Sequence, residues 1–274
     1  GNTSTISNQN IGLTQQLSAR VSYRTGTDYE DGDGEVTWKS SDESAAKVSS
    51  TGLVTFVGEA NNVQITATAK DKGASGATVE KSVTYNISNL KGSNENNPLS
   101  VAECLSILSG IGSGANTGYN VFATGKVGTD LSGSGRYSFT MTDLSNSSNS
   151  IKAYSLNYDG TVNKGNIVVV KGYLINYSGT LEIGFATGAD SKIISVVVED
   201  AITITGGNKT INLTTSSSTD TTVKYTSEGT GAESAEKQSG NNCATVTLSN
   251  GTVSITPTAV GTAVYILKKG SNYS

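Results

Sequence analysis

The sequence predicts an all-β chain built of several small modules, and three observations carry that expectation. Apolar residues recur at every second position in short runs, the period of a half-buried strand. Between the runs lie clusters of Ser, Thr, Asn and Gly, with 32 glycines and 2 prolines in 274 residues, as in strands joined by polar turns. Helical periodicity is confined to one segment, just after Pro98.

Residues 1–92 form the first module. Leu17, Ala19, Val21 and Tyr23 alternate as a strand, and Thr25–Glu35 gathers acids and glycines in a loop. Val36 and Trp38 then alternate with Thr37 and Lys39, which predicts Trp38 buried between two sheets. Ser40-Ser41-Asp42-Glu43-Ser44 is a polar corner. Val48, Leu53, Val54, Phe56 and Val57 resume the apolar pattern around a Ser50-Thr51-Gly52 turn. Val63, Ile65, Ala67 and Ala69 alternate, and Val79, Val83, Tyr85 and Ile87 make the last strand. The stretch Lys91–Asn97 has no apolar residue and reads as a linker.

Residues 93–200 form the second module, opened by the helix. Ser100 is a good N-cap and Glu103, three residues on, completes a capping box. Val101, Cys104, Leu105 and Leu108 repeat at the spacing of one buried face, and Gly110 ends the helix. Strands are expected over 120–129, 136–143, 150–158, 166–176, 180–185 and 192–198. The run Ile167-Val168-Val169-Val170 is continuous, as in a strand buried on both sides. Residues 201–274 form a third, shorter module. In it Val223-Lys224-Tyr225-Thr226-Ser227 echoes the strand of Trp38, and Gly251-Thr252-Val253-Ser254 echoes the turn before Val54.

The pieces V-T-W-K-S-S at Val36, the S-A-A-K-V step at Ser44, G-L-V-T at Gly52 and the closing T- and A-rich strand occur in order. Together they resemble the bacterial immunoglobulin-like domain of group 2; residues 201–274 resemble it more loosely, with Tyr225 in place of the tryptophan. P-L-S-V-A-E before the helix, V-F-A-T-G-K-V, Y-S-F-T-M-T-D and V-V-V-K-G-Y-L-I-N-Y-S-G-T-L-E resemble an OB-like domain of secreted bacterial proteins over roughly residues 97–198. The resemblances imply an Ig-like β-sandwich, an OB-like β-barrel with one N-terminal helix, and a second Ig-like β-sandwich. Such modules serve as spacers and adhesive units of surface proteins.

Composition excludes several chemistries. The chain has no histidine, which removes Ser-His-Asp and Cys-His machinery and histidine zinc sites. Its two cysteines, Cys104 and Cys243, fall in different modules and are expected as free, buried thiols. The carboxylates are scattered over small modules with no implied common cleft, so no catalytic role and no cofactor are expected. The modules carry net charges of −2, −3 and +1, and none has the basic balance that phosphate binding demands. Nucleic acid is therefore disfavoured as a partner, although an OB-like barrel leaves single-stranded binding as the alternative reading.

Two candidate sites stand out. Asp28, Asp31, Asp33 and Glu35 in the acidic loop offer oxygens of the kind a calcium ion takes, against the plainer reading of a solvated hairpin tip. Arg136, Lys152, Tyr154, Lys171 and Tyr173 lie on the second, third and fourth strands of the barrel, the region where such folds bind oligonucleotides or oligosaccharides. Tyr137, Phe139 and Met141 on the same strands read as core. The expected function is non-catalytic: adhesion or carbohydrate binding by a secreted or surface protein, with a host or cell-surface glycan or protein as partner. The negative barrel points to a neutral glycan. An accessory region of a larger secreted enzyme is a further alternative. No apolar run is long enough to span a membrane, and the abrupt start at Gly1 is expected to follow a removed export signal or lipid anchor, as in a lipoprotein.

Overall fold

The computed structural model describes residues 2–25, 28–31, 35–70, 78–213, 222–270 and 272–273. The chain divides into two compact units: Gly1–Lys164 with Val168–Val196, and Gly165–Ile167 with Val197–Ser274. The first contains a sandwich followed by a barrel, and the second a smaller sandwich.

The first sandwich comprises β1 (Asn2–Ser7), β2 (Thr14–Gln16), β3 (Ser22–Thr25), β4 (Asp28–Asp31), β5 (Val36–Ser40), β6 (Ala46–Val48), β7 (Leu53–Phe56), β8 (Ala60–Lys70) and β9 (Thr78–Ser88). One sheet runs β1-β9-β8-β5 and the other β2-β7-β6, with β3 and β4 paired as a hairpin. β1 lies parallel to β9, from Asn2 opposite Val83 to Ser7 opposite Ser88. Inward residues of both sheets meet in a core of Ala46, Val54, Phe56, Val63, Ile65, Tyr85 and Ile87, each 2 % exposed or less. Phe56 and Tyr85 pack edge to face with centroids 5.1 Å apart.

Trp38 departs from expectation. It is half-buried against the core rather than enclosed in it. Its strand β5 is the edge of its sheet, so no outer neighbour covers the ring. The ring is instead backed by the Gly52 turn, where an added Cβ would lie 2.9 Å from it. Part of the expected acidic loop is strand: Asp28–Asp31 pairs with Ser22–Thr25.

The stretch Lys91–Asn97 is pinned rather than loose. One carboxylate oxygen of Glu59 accepts from the Leu90 amide at 2.8 Å, the Ser93 hydroxyl at 2.9 Å and the Asn94 amide group at 3.3 Å. Gly92 is buried with φ +86°, and a Cβ there would sit 2.7 Å from Leu99 and 2.8 Å from Ile11. Only glycine adopts that conformation without strain in so tight a seam. Lys91 bridges to Glu103 at 2.6 Å, and the Lys47 ammonium donates to the Gly118 carbonyl at 2.7 Å. Buried residues of sandwich and barrel thereby join in one continuous core.

The barrel part comprises helix α1 (Val101–Leu108), then β10 (Val121–Val127), β11 (Ser132–Gly133), β12 (Arg136–Thr142), β13 (Ser150–Asn157), β14 (Ile167–Tyr177), β15 (Thr180–Gly184) and β16 (Lys192–Val197). The capping box of Ser100 and Glu103 forms as expected. The helix ends at Leu108, two residues before Gly110, and Val101, Cys104 and Leu108 are buried. Asp143, at the end of β12, accepts from the Ala102 amide at the helix start and from Ser145 and Asn146. The strands close into a ring, β10-β12-β13-β15-β14 and back to β10, with β13 and β15 parallel. This is the five-stranded barrel of an OB-like fold. Val121, Ala123, Phe139, Met141, Ile151, Ala153, Val168, Val170, Leu174 and Ile183 fill it. The run Ile167–Val170 is not buried on both sides. Val168 and Val170 point inward while Ile167 and Val169 are half-exposed, the alternation of a strand in a barrel wall.

The second unit comprises β17 (Ala201–Ile204), β18 (Tyr225–Glu228), β19 (Glu233–Gly240), β20 (Ala244–Ser249), β21 (Thr252–Pro257), β22 (Ala263–Lys269) and β23 (Asn272–Tyr273). Its core is Ile202, Val223, Tyr225, Val253 and Leu267. β18 pairs with β17, and Tyr225 bonds to Gly251 before β21, as β2 does to the turn before β7. The strand of Tyr225 therefore corresponds to β2, not to the strand of Trp38. That place, beside the closing strand β22, belongs to β19, whose polar sequence ESAEKQSG carries no apolar alternation to announce it.

The candidate ligand-binding face of the barrel

The alternation of each barrel strand turns Arg136, Lys152, Tyr154, Lys171 and Tyr173 to the outside, while Tyr137, Phe139 and Met141 face in. Strand order then decides which of the five meet. Tyr154 on β13 is opposite Gly184 on β15, and Gly184 is opposite Tyr173 on β14. The two tyrosines thus flank a glycine in one row across three strands. Neighbouring strands lie about 4.8 Å apart, so the backbones of the two tyrosines are roughly 10 Å apart, with the buried Gly184 between them. Gly184 has φ +149°, and a Cβ there would lie 2.0 Å from the Tyr154 carbonyl oxygen. No other residue fits there. The Tyr173 ring is fixed by its hydroxyl donating to the Gly188 carbonyl at 3.2 Å. Tyr154 is 43 % exposed.

Two of the charged members lie to either side of Tyr154 along the direction of β13. Lys152 is two residues before Tyr154 and opposite Glu182. Glu182 is buried, and burial pushes its carboxyl above the usual range, with Lys152 pulling partly back. Arg136 is opposite Asn157, three residues past Tyr154. Along β13, Lys152 and Arg136 are therefore separated by roughly 16 Å and cannot act on one small group. Arg136 donates through Nε to Asn157 Oδ1 at 3.0 Å and through an Nη to Ser155 Oγ at 2.8 Å, and its carbon lies 5.2 Å from the centroid of the Phe185 ring. Lys171 sits over Phe122 at 5.4 Å and shares Asp190 with Lys192, at 2.9 and 3.0 Å. Hydrogen bonds from the two lysines hold the Asp190 carboxyl below its usual range.

Phe185, Gly184, Glu182 and Asp190 belong to this face and are not among the residues the sequence singles out. The glycine in Leu181-Glu182-Ile183-Gly184-Phe185 is a usable signal, because a glycine inside a strand marks close backbone approach. It also breaks the alternation, which is why Phe185 is 47 % exposed.

Of the acidic-loop candidates, Asp33 and the side chains of Asp28 and Asp31 lie outside the described residues, and Glu35 is exposed. Among the described residues no three carboxylates or thiols gather closely enough to hold a metal ion, and no helix is long and apolar enough to cross a membrane. Cys104 and Cys243 are free and buried, and burial pushes the Cys104 thiol far up.

Comparison with known proteins gives one family and a set of distant structures. No curated protein matches. Twelve solved chains match. Among them, protocadherin gamma B2 extracellular cadherin domains 3–6 is 12 % identical over 100 % of this chain and 69 % of its own, with a TM-score of 0.23. Protocadherin gamma B7 extracellular cadherin domains 1–4 is 11 % identical over 98 % of this chain and 75 % of its own, with a TM-score of 0.21. Scores this low bear on neither fold nor function. The family match covers residues 3–81, from β1 into the start of β9, and its description is bacterial Ig-like domain (group 2). The first sandwich of this chain is a bacterial Ig-like domain of group 2.

Proposed function

We propose that the chain is a non-catalytic, modular protein of the bacterial surface or secreted medium, and that the outer face of its barrel binds a glycan. The observation that carries the reading is the row Tyr154–Gly184–Tyr173. Aromatic rings either side of a residue without a side chain suit the apolar faces of a sugar ring, and the Tyr173 ring, held by its hydroxyl, loses little entropy on binding. The Ig-like domain supports a modular surface protein, in which a barrel held firmly to its neighbour presents this face outward for adhesion.

A nucleic acid fits the face less well. Lys171 and Lys192 are partly compensated by the Asp190 carboxylate they share, and Lys152 sits beside Glu182, whereas affinity for a phosphate backbone comes from uncompensated cations. A glycan array probed with the whole chain, followed by calorimetry on any hit, tests the reading. Tyr154→Ala and Tyr173→Ala should each weaken binding about tenfold, near 1.4 kcal/mol. Binding untouched by both variants would place the site elsewhere. A clean array together with salt-sensitive binding of single-stranded DNA would replace the glycan reading with the nucleic-acid one.

A further inference from the structure

Resting on that glycan reading, we propose that the saccharide taken by this face carries a carboxylate, and that Arg136 is the group that receives it. The geometry around Arg136 is that of a prepared anion receptor. Its Nε and one Nη are anchored on Asn157 and Ser155, and its carbon lies 5.2 Å from the centroid of the Phe185 ring. Ser155 is itself set in place, with φ +54° and its amide donating to Ser138 Oγ at 2.9 Å. A guanidinium has five N–H donors, so three remain beyond these two bonds, on both Nη atoms. Donors on both Nη atoms are the set that meets a carboxylate in a bidentate pair.

Charge distribution on the face selects the same ligand. Each lysine there has an acid beside it, Asp190 for Lys171 and Lys192 and Glu182 for Lys152. Among the described residues no carboxylate pairs with Arg136, which is exposed. Arg136 is therefore the one cation among the named residues of the face with no carboxylate beside it, and it lies on the strand next to that of Tyr154. Tyr154 and Phe185 are joined through the Phe185 amide, which donates to the Tyr154 carbonyl at 3.1 Å. Arg136 is roughly 10 Å along the sheet from Tyr154, within the span of a short oligosaccharide lying on the rings. The sequence-wide argument for a neutral sugar rests on the net −3 of residues 93–200. That charge repels a polyanion, but salt screens it over about 8 Å, and a contact at Arg136 is local. The expected ligand is a largely neutral glycan bearing an isolated acidic sugar, not a polyuronate.

The test uses matched pairs on the whole chain by calorimetry. One pair is a xylo-oligosaccharide with a single glucuronic acid and its carboxyl-reduced form; the other is sialyllactose and lactose. The acidic member of at least one pair should bind at least about tenfold more tightly than its neutral twin, the scale of a charge-assisted hydrogen-bonded pair. Arg136→Gln, with an unchanged melting temperature, should erase that difference. Arg136→Lys should restore part of it, since an ammonium cannot form the bidentate pair. Equal binding of acidic and neutral members that is lost in Tyr154→Ala overturns the carboxylate inference and leaves the glycan reading standing. No binding of either pair, with a clean array, overturns both.

Discussion

Replacing Gly92 by alanine should loosen the sandwich and the barrel of the first unit together. The residue sits at φ +86°, where an L side chain costs about 1–2 kcal/mol. The added Cβ would also meet Leu99 Cγ at 2.7 Å and Ile11 Cγ2 at 2.8 Å, one from each side of the seam. Overpacking of that kind costs about 1–3 kcal/mol. The combined loss is roughly 2–5 kcal/mol, which lowers a urea midpoint by about 1–2 M at slopes usual for domains of this size. Two reporters follow the two halves separately. Trp38, the chain's single tryptophan, reports the sandwich by fluorescence. Cys104, fully buried in α1, reports the barrel by thiol labelling in a Cys243→Ser background. Both midpoints should coincide in the parent and fall together in the variant. A fall in one reporter alone, or different midpoints in the parent, would refute the shared core as the agent that couples them.

Other substitutions probe single features. Phe56→Ala removes a fully buried ring packed on Tyr85 and should cost about 3–5 kcal/mol. Trp38→Ala, at a half-buried edge position, should cost visibly less in the same urea titration, and the reverse order would contradict the placement of both rings. Asp143 is held at about 2 by the Ser145 hydroxyl first and by backbone amides including that of Ala102. Its folded-state pKa is depressed below the ordinary 3.8, so its contribution is present above pH 4 and is lost as pH falls from about 4 through 2. Asp143→Asn should flatten the acid limb of the first unit's stability curve; an unchanged limb would assign the acid sensitivity elsewhere.

Much of the barrel is legible in the sequence because its strands alternate and its turns are punctuated. Tyr177-Ser178-Gly179-Thr180 marks a two-residue hairpin turn, realised with positive φ at Ser178 and Gly179. The capping box fixes the start of α1 through groups three residues apart. What escapes local reading depends on pairing between distant strands. That Tyr173 comes beside Tyr154 follows from β15 inserting parallel to β13, which no short window contains. That Trp38 stays half-open follows from β5 being an edge. In the second unit, the Tyr225 strand resembles the Trp38 strand in residues yet takes a different place, because Gly251 and Val253 are its hydrogen-bond partners. The acids at 182 and 190 are ordinary residues in sequence and become part of the face only when the ring closes.

The parallel pairing of β1 with β9 has a mechanical meaning. The register runs unbroken from Asn2–Val83 to Ser7–Ser88. Tension that enters at Asn2 and leaves beyond Ser88 pulls the two strands in opposite directions along their length. Their ladder is then loaded in shear, with all its hydrogen bonds stretched at once instead of peeled in turn. Rupture under load is a rate set by the unfolding barrier rather than by equilibrium stability. The thin, half-exposed strand at the start of this domain can thus serve as the clamp that keeps it folded under load.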